Sequence, residues 1–222
     1  MAHRICRQGL IAAALVTAAV GANSASLLVN GSFELNSAGA TVFNPSNASF
    51  NSLMSGVTAF GVREGIDIQT IGSGFGLAPQ DGLWKISPAS DMGGTSEAVS
   101  LAMHTPLVAG QSYSLDFYIE RLISGPFDGG SVEVGVSGSA FSFGTTVATA
   151  SAPASGWLHF SDTFVAPTDA MYLTVLVTNG QSSWVGLDNF TLAAVVPEPG
   201  TAVLLAAGLG LFGLRTFRNR SK

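Results

Sequence analysis

Carboxylates are the most abundant ionisable side chains in this sequence of 222 residues. All fourteen lie between Glu34 and Glu198, where only Arg63, Lys85 and Arg121 oppose them, so this stretch has a formal charge of −11. An acidic surface repels the phosphate backbone of nucleic acids, whereas carboxylate oxygens suit hard cations such as Ca²⁺. The charge pattern therefore argues against a nucleic-acid partner and is compatible with cation binding.

Combinations of residues that could catalyse a reaction are scarce. His104 and His159 are the only histidines after residue 25, and His159 lies an odd number of residues from Asp162, so the two face opposite sides of a strand. The sequence contains no G-x-S-x-G or H-E-x-x-H motif. Asp116 and Glu120 could form a glycosidase pair, but they fall on the polar face of a strand, where solvated acids are expected. We therefore predict that the protein is not an enzyme.

Short alternating segments predict that residues 26–194 form an all-β domain. Apolar and polar residues alternate in Tyr113–Glu120, Val132–Ser137 and Met171–Thr178, as in strands with one face on a core and one toward solvent. No amphipathic helical run is present, and turn residues separate the segments. Weaker strand candidates are Leu27–Phe33, Ile66–Ile71, Glu97–Met103, Ala140–Ala148, Leu158–Val165 and Val185–Ala194. The pattern predicts a sandwich or barrel of about nine strands, with Asn36–Ser55 and Gly72–Gly94 as surface loops, either irregular or with short strands.

Residues 1–25 have the three parts of a secretory signal peptide. Arg4 and Arg7 precede the apolar run Gly9–Val20, and the small residues Gly21–Ala25 follow, which is the order such a peptide requires. Cleavage is expected within the last four residues of this segment. It would remove Cys6, the only cysteine, so disulfides and thiol chemistry are not expected in the mature protein.

Residues 195–222 combine a proline-rich start, an apolar run and a basic end. The apolar run Ala202–Leu214 would span about 20 Å as a helix, against a hydrocarbon core of roughly 30 Å. Extending it upstream would bury Glu198 at a cost of about 2.5–3.5 kcal/mol. The basic end stops translocation on the cytoplasmic side; it consists of Arg215, Arg218, Arg220 and Lys222. The segment suits temporary anchoring, and a permanent anchor or a buried helix are the alternatives.

The order of these three parts resembles the PEP-CTERM sorting domain of Gram-negative bacteria. The residues that carry the resemblance are Pro197, Glu198, Pro199 and Gly200, followed by the short apolar span and the arginine-rich end. The resemblance implies that an exosortase, a membrane protease, recognises the tail after a transient insertion in the inner membrane. It also implies a place at the cell surface or in the exopolysaccharide matrix of a biofilm.

Four segments of the region 26–194 resemble the strands of galactose-binding-domain-like jelly rolls, which occur in many carbohydrate-binding modules. They are Leu27–Glu34, Val108–Phe117, Gly156–Pro167 and Val185–Leu192, and they occur in the order that the fold requires. The resemblance implies a jelly-roll β-sandwich, with the signal peptide helix before it and a short transmembrane helix after it.

In that fold a structural calcium often bridges the first and last strands. The resemblance places its ligands here at Glu34 and Asp188. The alternation of the last strand gives Asp188 the same face as Phe190 and Leu192, so its carboxylate is expected to point inward, where it needs a partner. The other interpretation is that Asp188 caps a turn or faces water.

Aromatic side chains that stack on sugar rings are the remaining candidates. Tyr118 falls on a polar strand face, and Trp84 is expected in a loop beside Asp81 and Lys85, so these two are the predicted ligand-binding residues. Buried tryptophans in a sandwich are the alternative. The sequence thus predicts a secreted, exosortase-processed, non-enzymatic protein with a structural or adhesive role, whose exposed aromatic residues would bind extracellular polysaccharide. The alternative is a carbohydrate-binding module or a carbohydrate-active enzyme that acts on extracellular glycans.

Overall fold

The computed structural model describes residues 25–178 and 182–195 of the chain. Residues 1–24 of the predicted signal peptide, the motif Pro197–Gly200 and the predicted transmembrane helix lie outside these residues. Within the described part, no helix is both long and apolar enough to cross a membrane.

Two antiparallel sheets, a two-stranded β-ribbon and one short helix make up the fold. The elements in chain order are α1 Asn47–Leu53, β1 Val57–Ala59, β2 Asp67–Thr70, β3 Trp84–Ser87, β4 Ala89–Ser90, β5 Ala98–Leu107, β6 Ser112–Arg121, β7 Ile123–Ser124, β8 Phe127–Asp128, β9 Ser131–Ser137, β10 Thr145–Ser151, β11 Trp157–Val165, β12 Ala170–Val177 and β13 Ser183–Ala194. The five-stranded sheet has the order β1-β5-β12-β9-β10. The six-stranded sheet has the order β11-β6-β13-β3-β2, with β4 paired to β13 beside this path, and β7 pairs with β8 in the ribbon. The chain repeatedly crosses between the sheets, as from β5 to β6 and from β12 to β13, which confirms the predicted jelly-roll β-sandwich.

The core lies between the sheets, where the alternating segments place it. Leu115, Phe117 and Ile119 of β6 are buried, as are Val134 of β9 and Val175 of β12. Since successive side chains of a strand point to opposite faces, the alternation seen in the sequence is enough to direct these residues inward. The predicted core faces of β6 and β9 are confirmed.

A break in the β13 ladder changes which face Asp188 occupies. Asp188 pairs with Tyr118, which puts it on the outer face of the six-stranded sheet, and the register shifts immediately afterwards. Asn189 occupies the shift with φ of 51°, a left-handed conformation that asparagine tolerates. The extra residue turns Phe190 and Leu192 into the core. The prediction that Asp188 shares their face is wrong, although the residue is buried.

The two long segments predicted as surface loops contain an unexpected helix and two short strands. Asn36–Ser55 contains helix α1, whose N-cap Ser46 accepts a hydrogen bond from the Ser49 amide. Gly72–Gly94 contains β3 and β4. The predicted first strand Leu27–Phe33 contributes only an isolated bridge between Leu28 and Met103. Helix α1 has seven residues, too few to show a helical period in the sequence.

Candidate functional site

Residues 71–83, which connect β2 to β3, are called the 71–83 loop. Two acidic side chains cap its backbone. Asp188 Oδ2 accepts hydrogen bonds from the amides of Gln80 and Asp81 at 2.7 and 3.0 Å. Glu34 Oε1 accepts from the amides of Leu83 and Trp84, both at 2.8 Å. These hydrogen bonds to Asp188 and Glu34 hold the C-terminal half of the loop in place.

A buried ion pair secures the first half of the 71–83 loop. Lys85 Nζ lies 2.5 Å from Glu120 Oε1, and both side chains are almost completely buried. Lys85 also donates to the carbonyls of Phe75 and Leu77, and Glu120 accepts from the Leu77 amide. Burial raises the pKa of Glu120, against the lowering effects of Lys85 and the Leu77 amide. The expectation that Glu120 is a solvated acid is wrong, because the loop covers it.

The predicted calcium ligands Glu34 and Asp188 thus meet at one loop. Asp188 Oδ1 also accepts from the Asn189 amide at 2.7 Å, and burial raises its pKa to about 7 in spite of its three amide donors. No group of three or more His, Cys, Asp or Glu side chains suited to a metal occurs in the described residues. The calcium site stays a prediction.

A cleft of about 340 Å³ opens at the end of the sandwich where β13 begins; we call it the end cleft. Aromatic rings supply most of its apolar wall. Phe75 lies edge-on to Phe43 and to Trp184, with ring centroids 5.5 and 5.4 Å apart. Phe127 lines the cleft as well. Phe43 and Phe75 are exposed, whereas Trp184 is buried and donates from Nε1 to the Ser87 carbonyl. The rings form a partly open aromatic wall.

Charged side chains converge on the same cleft. Arg63 lines it, with its guanidinium 5.4 Å from the centre of the Phe127 ring. Arg63 Nε bonds to Asp91 at 3.0 Å, and its Nη1 bonds to the buried Glu97. Burial raises the pKa of Glu97 to about 7, and Arg63 only partly offsets this. The arginine is therefore held in place by two acids while it faces the cleft.

Asp67 is the only carboxylate among the described residues that line the end cleft. Its Oδ1 accepts a hydrogen bond from the Asn44 amide at 2.8 Å. Burial raises its pKa to about 6. An acid and an arginine beside aromatic rings provide both hydrogen-bonding partners and an apolar surface, the combination typical of small-molecule sites.

The predicted ligand-binding residues do not line the end cleft. Trp84 is the first residue of β3 and packs, partly buried, against the main core. Tyr118 lies on the outer face of β6 and stacks on His159, with ring centroids 4.7 Å apart. Trp157 donates from Nε1 to the Ala78 carbonyl at 3.1 Å, so it contacts the 71–83 loop. Tyr118 and His159 form a second aromatic surface, separate from the cleft.

Sequence reasoning did not select the aromatic residues of the cleft, which come from distant segments. Phe43 precedes α1, Phe75 lies in the 71–83 loop, Phe127 is in β8 and Trp184 is in β13. None of them belongs to an alternating pattern that points to a common surface. The one available signal was Arg63, one of only three cations between Glu34 and Glu198.

A protein-family model matches the C-terminal segment. Residues 195–221 match the model of the PEP-CTERM protein-sorting motif. The chain carries a PEP-CTERM sorting motif. The resemblance in the tail sequence is thereby confirmed, and the motif begins where the described part of β13 ends. A comparison with curated proteins gives no match.

Solved structures that resemble the chain include carbohydrate-binding domains. The CBM22-1 xylan-binding domain of Paenibacillus barcinonensis Xyn10C has 12% identity over 78% of this chain and 97% of that one, with a TM-score of 0.45. TmCBM61 in complex with β-1,4-galactotriose has 12% identity over 78% and 100%, with a TM-score of 0.46. The arabinose-bound MgGH51 α-L-arabinofuranosidase has 13% identity and a TM-score of 0.45, and 77% of this chain matches only 26% of that enzyme. These likenesses assign neither a ligand nor an activity to this chain.

Proposed function

We propose that the chain is an exported, exosortase-processed protein of the cell surface or exopolysaccharide matrix, and that its sandwich binds glycan in the end cleft without catalysis. The PEP-CTERM motif supports export and temporary anchoring. The end cleft is the observation that carries the binding function. Its aromatic rings suit the C–H faces of sugar rings, and Arg63 and Asp67 suit the hydroxyl groups.

The experiment is a glycan array probed with the full chain and with single variants. Specific binding that is lost in Phe75→Ala and kept in Tyr118→Ala and Trp84→Ala assigns the glycan to the end cleft. Phe141→Ala is the matched control, because Phe141 is a phenylalanine 70% exposed outside the cleft. Loss of binding in Tyr118→Ala alone would assign the outer surface instead, and absence of binding to any glycan would refute the binding function.

A carbohydrate-active enzyme is the second candidate, and one observation favours it. Asp67 has a raised pKa in a cleft, as catalytic acids often do. Most glycosidases, however, use two carboxylates that flank the bond they cleave, and Asp67 is the only one lining the described cleft. Release of reducing ends from an array ligand by the parent chain, abolished in Asp67→Asn, would establish the enzyme and overturn the non-catalytic proposal.

Removal of the tail belongs to the proposal as well. Mass spectrometry of the released protein is expected to show a C-terminus near Pro197–Gly200. Extracellular protein that still ends at Lys222 would support a permanent-anchor or unprocessed form and would rule out cleavage.

We also propose that Ca²⁺ binds at Glu34 and Asp188, which is supported by their contacts with the same loop. Calcium is expected to raise the melting temperature of the chain, and Glu34→Gln is expected to remove that increase. Asp162→Asn, at an exposed acid on β11, serves as the control. Equal melting temperatures with calcium and with a chelator would refute the proposed calcium site.

A further inference from the structure

Strand β13 runs from the end cleft to the opposite end of the sandwich. Trp184 near its start lines the cleft, whereas Ala194 at its end pairs with Tyr113. The next residue, Val195, donates from its amide to the Ser112 carbonyl at 2.9 Å. Ten residue steps at about 3.3 Å separate Trp184 from Ala194, or about 33 Å. The chain therefore enters its PEP-CTERM motif far from the cleft.

The beginning of the sandwich lies at this same opposite end, which we call the exit end. The Leu27 amide donates to the Leu192 carbonyl at 2.7 Å. Ser26 Oγ accepts from the Leu192 amide at 3.3 Å. The first residues of the mature sandwich therefore adjoin the exit end, as does the tail after residue 195, which the proposed function anchors in the membrane.

Three exposed valines lie around the point where β13 finishes, beside the exposed acid Asp169, whose Oδ1 accepts a hydrogen bond from the Ala109 amide at 2.8 Å. Val108, Val165 and Val195 are exposed there. Val165 pairs with Ser112, whose carbonyl accepts the Val195 amide.

The segment that links the sandwich to the membrane anchor is too short to let the end cleft reach the bilayer. The six residues Val195–Gly200 span at most about 20 Å when fully extended. Bringing the end cleft to the bilayer would move the exit end about 33 Å away from it. We propose that the anchored chain holds its exit end at the membrane and its cleft away from it, so that the cleft binds glycan before and after the tail is removed. This inference rests on the proposed function.

The orientation is measured with the full chain in lipid vesicles that carry an acceptor dye on their headgroups. Two variants, each with Cys6→Ser, take a donor dye at Ala109→Cys on the exit end or at Ser124→Cys beside the cleft; both positions are exposed. Strong energy transfer from position 109 and weak transfer from position 124 are expected. Equal transfer, or stronger transfer from position 124, would overturn the proposed orientation.

A second arm measures the affinity of a glycan identified on the array, with unlabelled chain in vesicles and with chain that lacks residues 197–222. Affinities within about twofold of each other are expected. A loss of tenfold or more in the vesicle-bound form would overturn the inference while leaving glycan binding intact. Absence of binding in both forms would refute the proposed function instead, and the energy-transfer result would still decide the orientation.

Discussion

Replacing Lys85 with methionine tests whether the buried ion pair fixes the 71–83 loop. Methionine keeps much of the side-chain volume but removes the cation from Glu120 and the donor from the Phe75 and Leu77 carbonyls. Removal of one partner from a buried pair costs about 3–5 kcal/mol. That loss is a large part of the about 5–15 kcal/mol that stabilises a typical domain.

The loss should grow with pH. Burial already raises the pKa of Glu120, and without Lys85 its pKa rises further, so the carboxyl group takes up a proton more readily. Protonation relieves the buried charge at low pH. The free energy lost in Lys85→Met is therefore expected to be larger at pH 8 than at pH 5, by up to about 1.4 kcal/mol per pH unit where only the folded state is protonated.

Urea unfolding of the parent and variants at both pH values is the assay. At pH 8, Lys85→Met/Glu120→Gln should be more stable than Lys85→Met, because glutamine leaves no buried charge. Arg121→Met is the matched control: it breaks the neighbouring pair with Asp128, which is exposed, and should cost far less than Lys85→Met because solvent screens an exposed pair. A Lys85→Met variant within 1 kcal/mol of the parent, or with the same loss at both pH values, would refute this reasoning.

Two further predictions concern three other acidic side chains, Glu97, Asp188 and Glu34. Burial raises the pKa of Glu97 and of Asp188 to about 7, so the folded chain holds protons that the unfolded chain releases near its ordinary values of 4.5 and 3.8. Stability should therefore fall as pH rises from about 5 to 8; a melting temperature that rises over this range in circular dichroism would contradict the assignment. Gly82→Ala should destabilise the chain more than Gly110→Ala, since both have positive φ but only at Gly82 would a Cβ overlap the Glu34 carboxylate. Equal free energies of unfolding in urea would show that Glu34 does not hold the loop tightly.

The sequence predicted the sandwich because its physical cause is local. The alternation of β6 directs Phe117 and Ile119 inward whatever the rest of the chain does. The PEP-CTERM motif was equally accessible, since proline, glutamate, an apolar run and a basic end are contiguous in the tail.

The outer face of the six-stranded sheet could not be predicted in the same way. Glu120 was expected in solvent because it lies on the polar face of an alternating strand. The 71–83 loop covers it, however, and the sequence around Glu120 does not indicate that contact. Asp188 was placed on the wrong face because one extra residue, Asn189, shifts the ladder of β13. Long-range packing and a single bulge decide both outcomes.

The candidate site was even less accessible from sequence. Trp84 and Tyr118 were selected as isolated aromatic residues with polar surroundings, and whether they bind a ligand stays a prediction. Phe75 meets Trp184 only because the 71–83 loop reaches the start of β13. Residues more than 100 positions apart share this wall, so its existence follows from the tertiary fold alone.

The most direct test of glycan binding in the end cleft is a crystal structure of the chain with the strongest ligand from the array. We predict a sugar ring packed against Phe75 and within hydrogen-bonding distance of Arg63 or Asp67. A sugar bound instead against Tyr118 and His159, with the end cleft filled only by water, would contradict the assignment.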